Sequence, residues 1–314
     1  MSDPYLLTLS LLSTGPISAP PPPIPQNSLD HLLTVFAAND ARLSETVETE
    51  KIIPSVESLP PEFSDFSPVE PASVSPVSGS QLYQQRLAAL KSGKLYTRLN
   101  PNSFQSVWEK AQNQPTHQQW QQLLQQEAQA LAKGQGKNRL NVLVGDSLSM
   151  WFPSQLLPQG KFWLNQGISG ENSTQVLQRI PAFEKTRPET IYVMVGINDL
   201  RQGATDETIL SNIRQIVQNL RASHPETEVV VQSILPTRLA SLPGDRIRRL
   251  NREIIFIAKQ EGASYLNLHR LFVDADGQLR ADLTTDGLHL NRKGYQVWQN
   301  GLDTAESWLA LNRY

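Results

Sequence analysis

The chain has 314 residues, a net charge of −2 and a pI near 6.2, enough length for one large domain or two small ones and no global electrostatic case for nucleic acid. It holds no cysteine, which excludes disulfides, thiol nucleophiles and thiolate metal sites together and fits a reducing compartment, read as cytoplasmic. No apolar run reaches the ~18 residues a bilayer span requires, and the opening MSDPYLLTLSLLSTGPISA lacks a basic leading region, so it reads as a poor signal peptide.

Residues 1–79 carry a net charge of −8 and 13 of the 22 prolines, whereas the remainder carries +6. Such a segment buries too little apolar surface to offset chain entropy, and a disordered tail is expected, free to bind a protein partner. Within it, SLDHLLTVFAAND at 28–40 has helical apolar spacing behind Ser28 or Asp30 and reads as a transient helix.

Residues 80–137 change character. Tyr83, Leu87 and Leu90 share one helical face, and Trp120, Leu123, Leu124, Ala128 and Leu131 form a second stripe. Thr116 is placed to cap this second helix and Gly134 to end it. The abundant glutamines then occupy the wet faces of two amphipathic helices, a helical lead-in to the larger C-terminal region.

From residue 138 to 314 strands alternate with helices. Strands are expected at 140–144, 162–164, 190–196, 228–235 and 264–268, and helices from Thr174 to near Pro181, then at 206–224, 245–262 and 292–311. That alternation implies a parallel sheet of about five strands in a three-layer α/β/α sandwich. The strands read as continuous apolar runs, as they do when both faces are covered.

Ligands of such sheets sit at the carboxyl ends of the strands, so the loops there hold the candidate chemistry. GDSLSM follows the first strand, and Ser147 in it is either a turn residue capping a helix or a nucleophile. A serine hydroxyl needs a base, and the base an orienting acid. His289 lies in DGLHLN, three residues after Asp286, a spacing that lets the carboxylate reach Nδ1 and leaves Nε2 free; taken alone, His289 also reads as a helix-entry residue. Gly170 in GISGEN permits close backbone approach, and the Asn198 amide in GINDL is a suitable donor, though each is also an ordinary turn residue. Asp146 and Asp199 read as structural carboxylates that bond nearby loop N–H groups. Met150, Trp151 and Phe152 read equally as acyl pocket or core, and Arg238, with Thr237 and the loop to Asp245, as a lid or alcohol-side contact or, more simply, as a solvated charge.

Together, GDSLSM, NQGISGEN, GINDL and DGLHLN resemble the SGNH hydrolases, also called GDSL esterases and lipases, over residues 138–314. The resemblance implies a flavodoxin-like sheet and a serine esterase. It assigns Ser147, Asp286 and His289 as catalytic and Ser147, Gly170 and Asn198 as the oxyanion hole, with no cofactor and no metal. The block spacing is similar to platelet-activating-factor acetylhydrolase-like and carbohydrate acetylesterase-like members, which points to a short acyl group on a small-molecule ester, an acylated sugar or lipid. The alternatives are an O-acyltransferase with the same site, a lysophospholipase or thioesterase, and a scaffold that acts through its tail.

Overall fold

The computed structural model of the chain describes residues 52, 53 and 74–312. The expectations for the tail, including the helix at 28–40 and a tail-bound partner, fall on residues that lie almost entirely outside the described ones. The expected alternation appears as β1 (Leu140–Gly145), β2 (Phe162–Gly167), β3 (Thr190–Met194), β4 (Glu228–Gln232) and β5 (Ser264–Leu266). All neighbouring strands are parallel and the sheet order is β2-β1-β3-β4-β5, the flavodoxin-like order.

Each strand sends alternate side chains to opposite faces, and both faces are covered. Val142, Val144, Ile191, Val193, Val229 and Val231 point into one core, against the apolar stripes of Asp206–Ser223 and Gly244–Gln260. Leu143, Tyr192, Met194 and Val230 point into the other, against Tyr295, Trp298, Leu302 and Leu309 of Arg292–Leu311. This double coverage is why the strands show no polar alternation.

In chain order the helices used below are α1 (Gly79–Lys91), α2 (His117–Gly134), α3 (Ser147–Met150), α4 (Ser173–Arg179), α5 (Ile197–Arg201), α6 (Asp206–Ser223), α7 (Gly244–Gln260) and α8 (Arg292–Leu311). Thr116 caps α2 through a reciprocal box with Gln119, satisfying two donors that the helix start leaves open. Among the described residues no helix is long and apolar enough to cross a membrane.

Strand boundaries depart from the hydropathy pattern for a physical reason. β2 runs three residues past its expected end, where its buried amides donate to distant backbone oxygens: Asn165 Nδ2 to Ser149 O at 2.7 Å and Gln166 Nε2 to Leu124 O at 3.1 Å. β3 and β4 stop short, although Val195, Ile234 and Leu235 beyond them stay buried. Hydropathy reports burial, and the ladder ends before the core does.

The lead-in packs onto the sheet edge at β2. Arg86 of α1, fully buried, donates Nε to Glu127 Oε1 of α2 at 3.0 Å and Nη2 to Asn165 O at 2.8 Å. Leu82, Trp120, Leu123 and Leu124 enclose Met150, at the end of α3, and Ile168, in the loop after β2. At the opposite edge, Ile52 bridges Tyr265 in parallel fashion and the Ile53 N–H donates to Tyr265 O at 3.1 Å. Ile53 is buried, so one residue of the Pro-rich segment contributes to the second core.

Candidate active site

The four loops converge at the carboxyl ends of β1, β2 and β3 and in the turn before α8. β1 ends at Gly145, where an added Cβ would collide with Ser149 Oγ and Met194 O. Only glycine lets α3 start that close to β3, and Ser147 is its first residue. Ser147 is buried all but 8%. Its Oγ lies 3.3 Å from His289 Nε2, and His289 Nδ1 lies 2.7 Å from Asp286 Oδ2.

The histidine is held by its own loop. Asp286 Oδ1 accepts the N–H of His289 at 2.7 Å and of Leu288 at 3.0 Å, and Thr284 Oγ1 donates to His289 O at 2.7 Å. Burial works to raise the Asp286 pKa, but the hydrogen bonds from the His289 ring and the two backbone N–H groups outweigh it and hold the carboxyl down at about 2. Asp286 is therefore an anion at neutral pH, suited to fix the Nδ1–H tautomer and stabilise an imidazolium. Arg238, read from sequence as a solvated charge, instead braces this loop. Its N–H donates to Gly287 O at 2.8 Å, and its guanidinium reaches Asp274 at 2.8 Å and Leu279 O at 2.8 Å.

The donors that the resemblance assigns to an oxyanion lie on three loops. Gly170 has φ +82°, and an added Cβ there would meet nothing within 4 Å, so its surroundings are open and its backbone conformation alone disfavours other residues. The N–H groups of Ser147 and Gly170 take no hydrogen-bond partner among the described residues. Asn198 is oriented from both ends: Nδ2 donates to Glu171 O at 3.0 Å and Oδ1 accepts from Arg201 Nη1 at 3.0 Å. Its second amide hydrogen has no acceptor among the described residues.

Asp146 and Asp199 play the structural parts expected of them. Asp146 Oδ1 accepts the Leu148 N–H at 3.0 Å, and Asp199 accepts from Ser173 N at 2.8 Å and Ser173 Oγ at 2.5 Å. Burial pushes the Asp146 carboxyl up to about 7, against the Leu148 hydrogen bond and the nearby His289. Met150 and Phe152 are core, whereas Trp151 is half-buried.

Sequence reasoning missed the layer beneath. Glu171, next to Gly170, has a fully buried side chain that pairs with Arg179 Nε at 2.5 Å and with His117 Nε2 at 2.8 Å. Arg179 Nη2 donates to Gly145 O at 2.9 Å. Burial pulls the Arg179 guanidinium below the ordinary arginine range, with Glu171 opposing. One buried carboxylate thus links the end of β1, the Gly170 loop, the backbone oxygen under Asn198 and the start of α2. The only signal in the sequence is the position of Glu171 beside Gly170; the eight-residue gap to Arg179 and the distance to His117 give no hint.

A serine, histidine and carboxylate in this chain of contacts, with three converging donors, can perform acyl transfer. Comparison with known proteins agrees. Residues 131–297 match the GDSL-like lipase/acylhydrolase family. The chain is 32% identical over 170 residues to the platelet-activating factor acetylhydrolase IB subunit alpha1 of Homo sapiens, covering 49% of this chain and 69% of that one. It is 33% identical over 167 residues to the Bos taurus protein of the same name, with the same coverage. A Streptococcus pneumonia structure, tied provisionally to platelet activating factor, superposes with a TM-score of 0.55 at 25% identity, covering 60% of this chain and 93% of that one. The chain belongs to the GDSL-like lipase/acylhydrolase family, and it is a hydrolase.

Proposed function

We propose that the protein is a serine esterase that cleaves a short-chain, acetyl-type carboxylic ester through an acyl-enzyme on Ser147. The observation that carries this reading is the unbroken contact from Ser147 Oγ to His289 Nε2 at 3.3 Å and from His289 Nδ1 to Asp286 at 2.7 Å. Ser147 Oγ attacks the carbonyl carbon as its proton passes to His289 Nε2. The carbonyl oxygen takes the negative charge and is met by the N–H groups of Ser147 and Gly170 and by the Asn198 amide. The adduct collapses, His289 returns the proton to the leaving alkoxide, and the acyl group stays on Ser147. Water then attacks with His289 as base, and the acid leaves.

The acetyl preference draws on the acetylhydrolase relatives. A p-nitrophenyl ester series from acetyl to palmitoyl, run on the wild type and on Ser147→Ala, tests both parts. The expected result is serine-dependent turnover that falls with chain length. Turnover that survives in Ser147→Ala removes the assigned nucleophile, and turnover that rises with length replaces the short-acyl reading with a lipase-like one.

A further inference from the structure

We propose that the helical lead-in holds the oxyanion donors in place, and that His117 is a positioning residue for acyl transfer. The inference rests on the serine-esterase reading of the site. Of the assigned donors, the Gly170 N–H most needs holding. Gly170 sits at φ +82° in an exposed stretch of loop, and an added Cβ there would meet nothing within 4 Å. A glycine in open space keeps wide backbone freedom, so the direction of its N–H depends on what anchors the residues on either side.

Both neighbours are anchored to the lead-in. On one side, Ser169 donates its N–H and its hydroxyl to Met150 Sδ at 3.3 and 3.1 Å, and Met150 packs with Leu82 of α1 and with Trp120, Leu123 and Leu124 of α2. On the other, Glu171 turns a fully buried side chain inward, where Oε1 meets His117 Nε2 at 2.8 Å. A carboxylate paired with Arg179 can only accept, so His117 Nε2 carries the hydrogen and the bond is charge-assisted. Glu171 O accepts from Asn198 Nδ2 at 3.0 Å, so the residue that His117 grips is bonded to a second assigned donor.

The two carboxylate oxygens of Glu171 are held by different elements. Arg179 of α4 takes Oε2 at 2.5 Å and His117 of α2 takes Oε1. Arg179 balances the charge, and His117 is the second fixed point that stops the carboxylate from pivoting about the guanidinium. His117 is well placed for this. It is the first residue of α2, behind the Thr116–Gln119 capping box, and Gln166 Nε2 ties the same helix to β2 through Leu124 O. Its side chain is 42% exposed, so removing it sacrifices little packing and the effect falls on the Gly170 loop. Arg179 lies within the segment 131–297 shared with the family and His117 outside it, which makes this brace a contribution of the chain's own lead-in.

The test measures kcat and KM for p-nitrophenyl acetate in the wild type, His117→Ala and His117→Gln, with urea unfolding to establish that each is folded. Formation and hydrolysis of the acyl-enzyme pass through the same oxyanion site, so a displaced donor lowers kcat and leaves KM nearly unchanged. His117→Ala is expected to lose ~10-fold in kcat, a part of the ~10²–10³ that a missing donor costs, with KM within twofold. His117→Gln keeps an Nε2 donor of similar reach and is expected to recover kcat to within threefold of wild type. If His117→Ala does not fold, His117→Asn, whose amide is too short for the contact, gives the same reading. A kcat within twofold of wild type in the alanine variant, a loss that appears in KM alone, or a glutamine variant as slow as the alanine one overturns the positioning role. Turnover that persists in Ser147→Ala, or no turnover by the folded wild type, overturns the esterase reading instead, so the two failures are distinguishable.

Discussion

Replacing Glu171 by glutamine probes the buried layer beneath the candidate oxyanion hole. Glutamine has nearly the same volume, so no cavity forms and the effect is electrostatic. In the native protein the Glu171 carboxylate is fully buried and neutralises Arg179, which is also buried. After the change Arg179 keeps a cation in the interior with one backbone acceptor, Gly145 O at 2.9 Å, while its Nη1 already lacks a partner among the described residues. Breaking a buried pair in this way costs about 3–5 kcal/mol, because the surviving charge is left uncompensated. Removing both charges avoids that penalty, so Glu171→Gln/Arg179→Met is expected to lose well under the sum of its two single variants. Urea unfolding followed by tryptophan fluorescence, at constant m, measures all four corners. A loss below ~1 kcal/mol in Glu171→Gln, or singles that simply add in the double variant, would refute the claim that this pair is a coupled buried unit. The same variants report on function. Gly145 O and the Asn198 amide are tied to this layer, so kcat is expected to fall with little change in KM.

Other consequences concern the site and the sheet edges. Asn198→Ala removes one of the three proposed oxyanion donors and is expected to lower kcat by ~10²–10³ in p-nitrophenyl acetate hydrolysis; a loss below threefold would remove Asn198 from that role. Asp146 titrates at about 7 when folded against an ordinary 3.8. Its folded pKa is raised, so its stabilisation is complete below pH 3.8 and is lost as pH rises through 7, a span worth about 4 kcal/mol. Asp146→Asn keeps the acceptor for Leu148 and should flatten the pH–stability curve across that window, which chemical denaturation at pH 4, 6 and 8 will measure. Asp286 has the opposite sign: its folded pKa is depressed to about 2. Its contribution is present above the ordinary carboxylate range and lost as pH falls from ~4 through 2, so Asp286→Asn should blunt acid unfolding in that interval. Ile53→Ala is expected to cost about 2–5 kcal/mol, the range for truncating a buried isoleucine; near-zero loss would mean that this stretch contributes nothing at the β5 edge.

Much of the fold was legible because its signals are local. Apolar runs of strand length, helical stripes such as Ile209–Ile213–Ile216–Leu220, and the Thr116 cap each act over a few residues. Four loop blocks in order gave the candidate residues, and the structure brings Ser147, His289 and Asp286 into contact. What stayed hidden is non-local and polar. The Arg86–Glu127 pair closes over 41 residues, and in the sequence both look like ordinary wet-face charges on Gln-rich helices. His117 opens the Gln-rich α2 with nothing in the sequence to mark it, yet Glu171, 54 residues away, lies within 2.8 Å of it. Buried polar residues such as Asn165 and Gln166 lowered the apparent hydropathy of β2 although they lie inside, because their hydrogen bonds are made to backbone atoms distant in the chain.

The wide separation of Ser147 and His289 along the chain bears on how activity arises during synthesis. The two side chains that must touch are 142 residues apart, and the histidine turn leads directly into α8, which docks through Tyr295 on Leu148 and Trp298 on Gln232. A nascent chain can complete all five strands and still hold a serine with no base. On the proposed reading, turnover would begin only once the turn carrying His289 reaches Ser147, so enzyme activity reports that contact more strictly than any spectroscopic signal from the sheet.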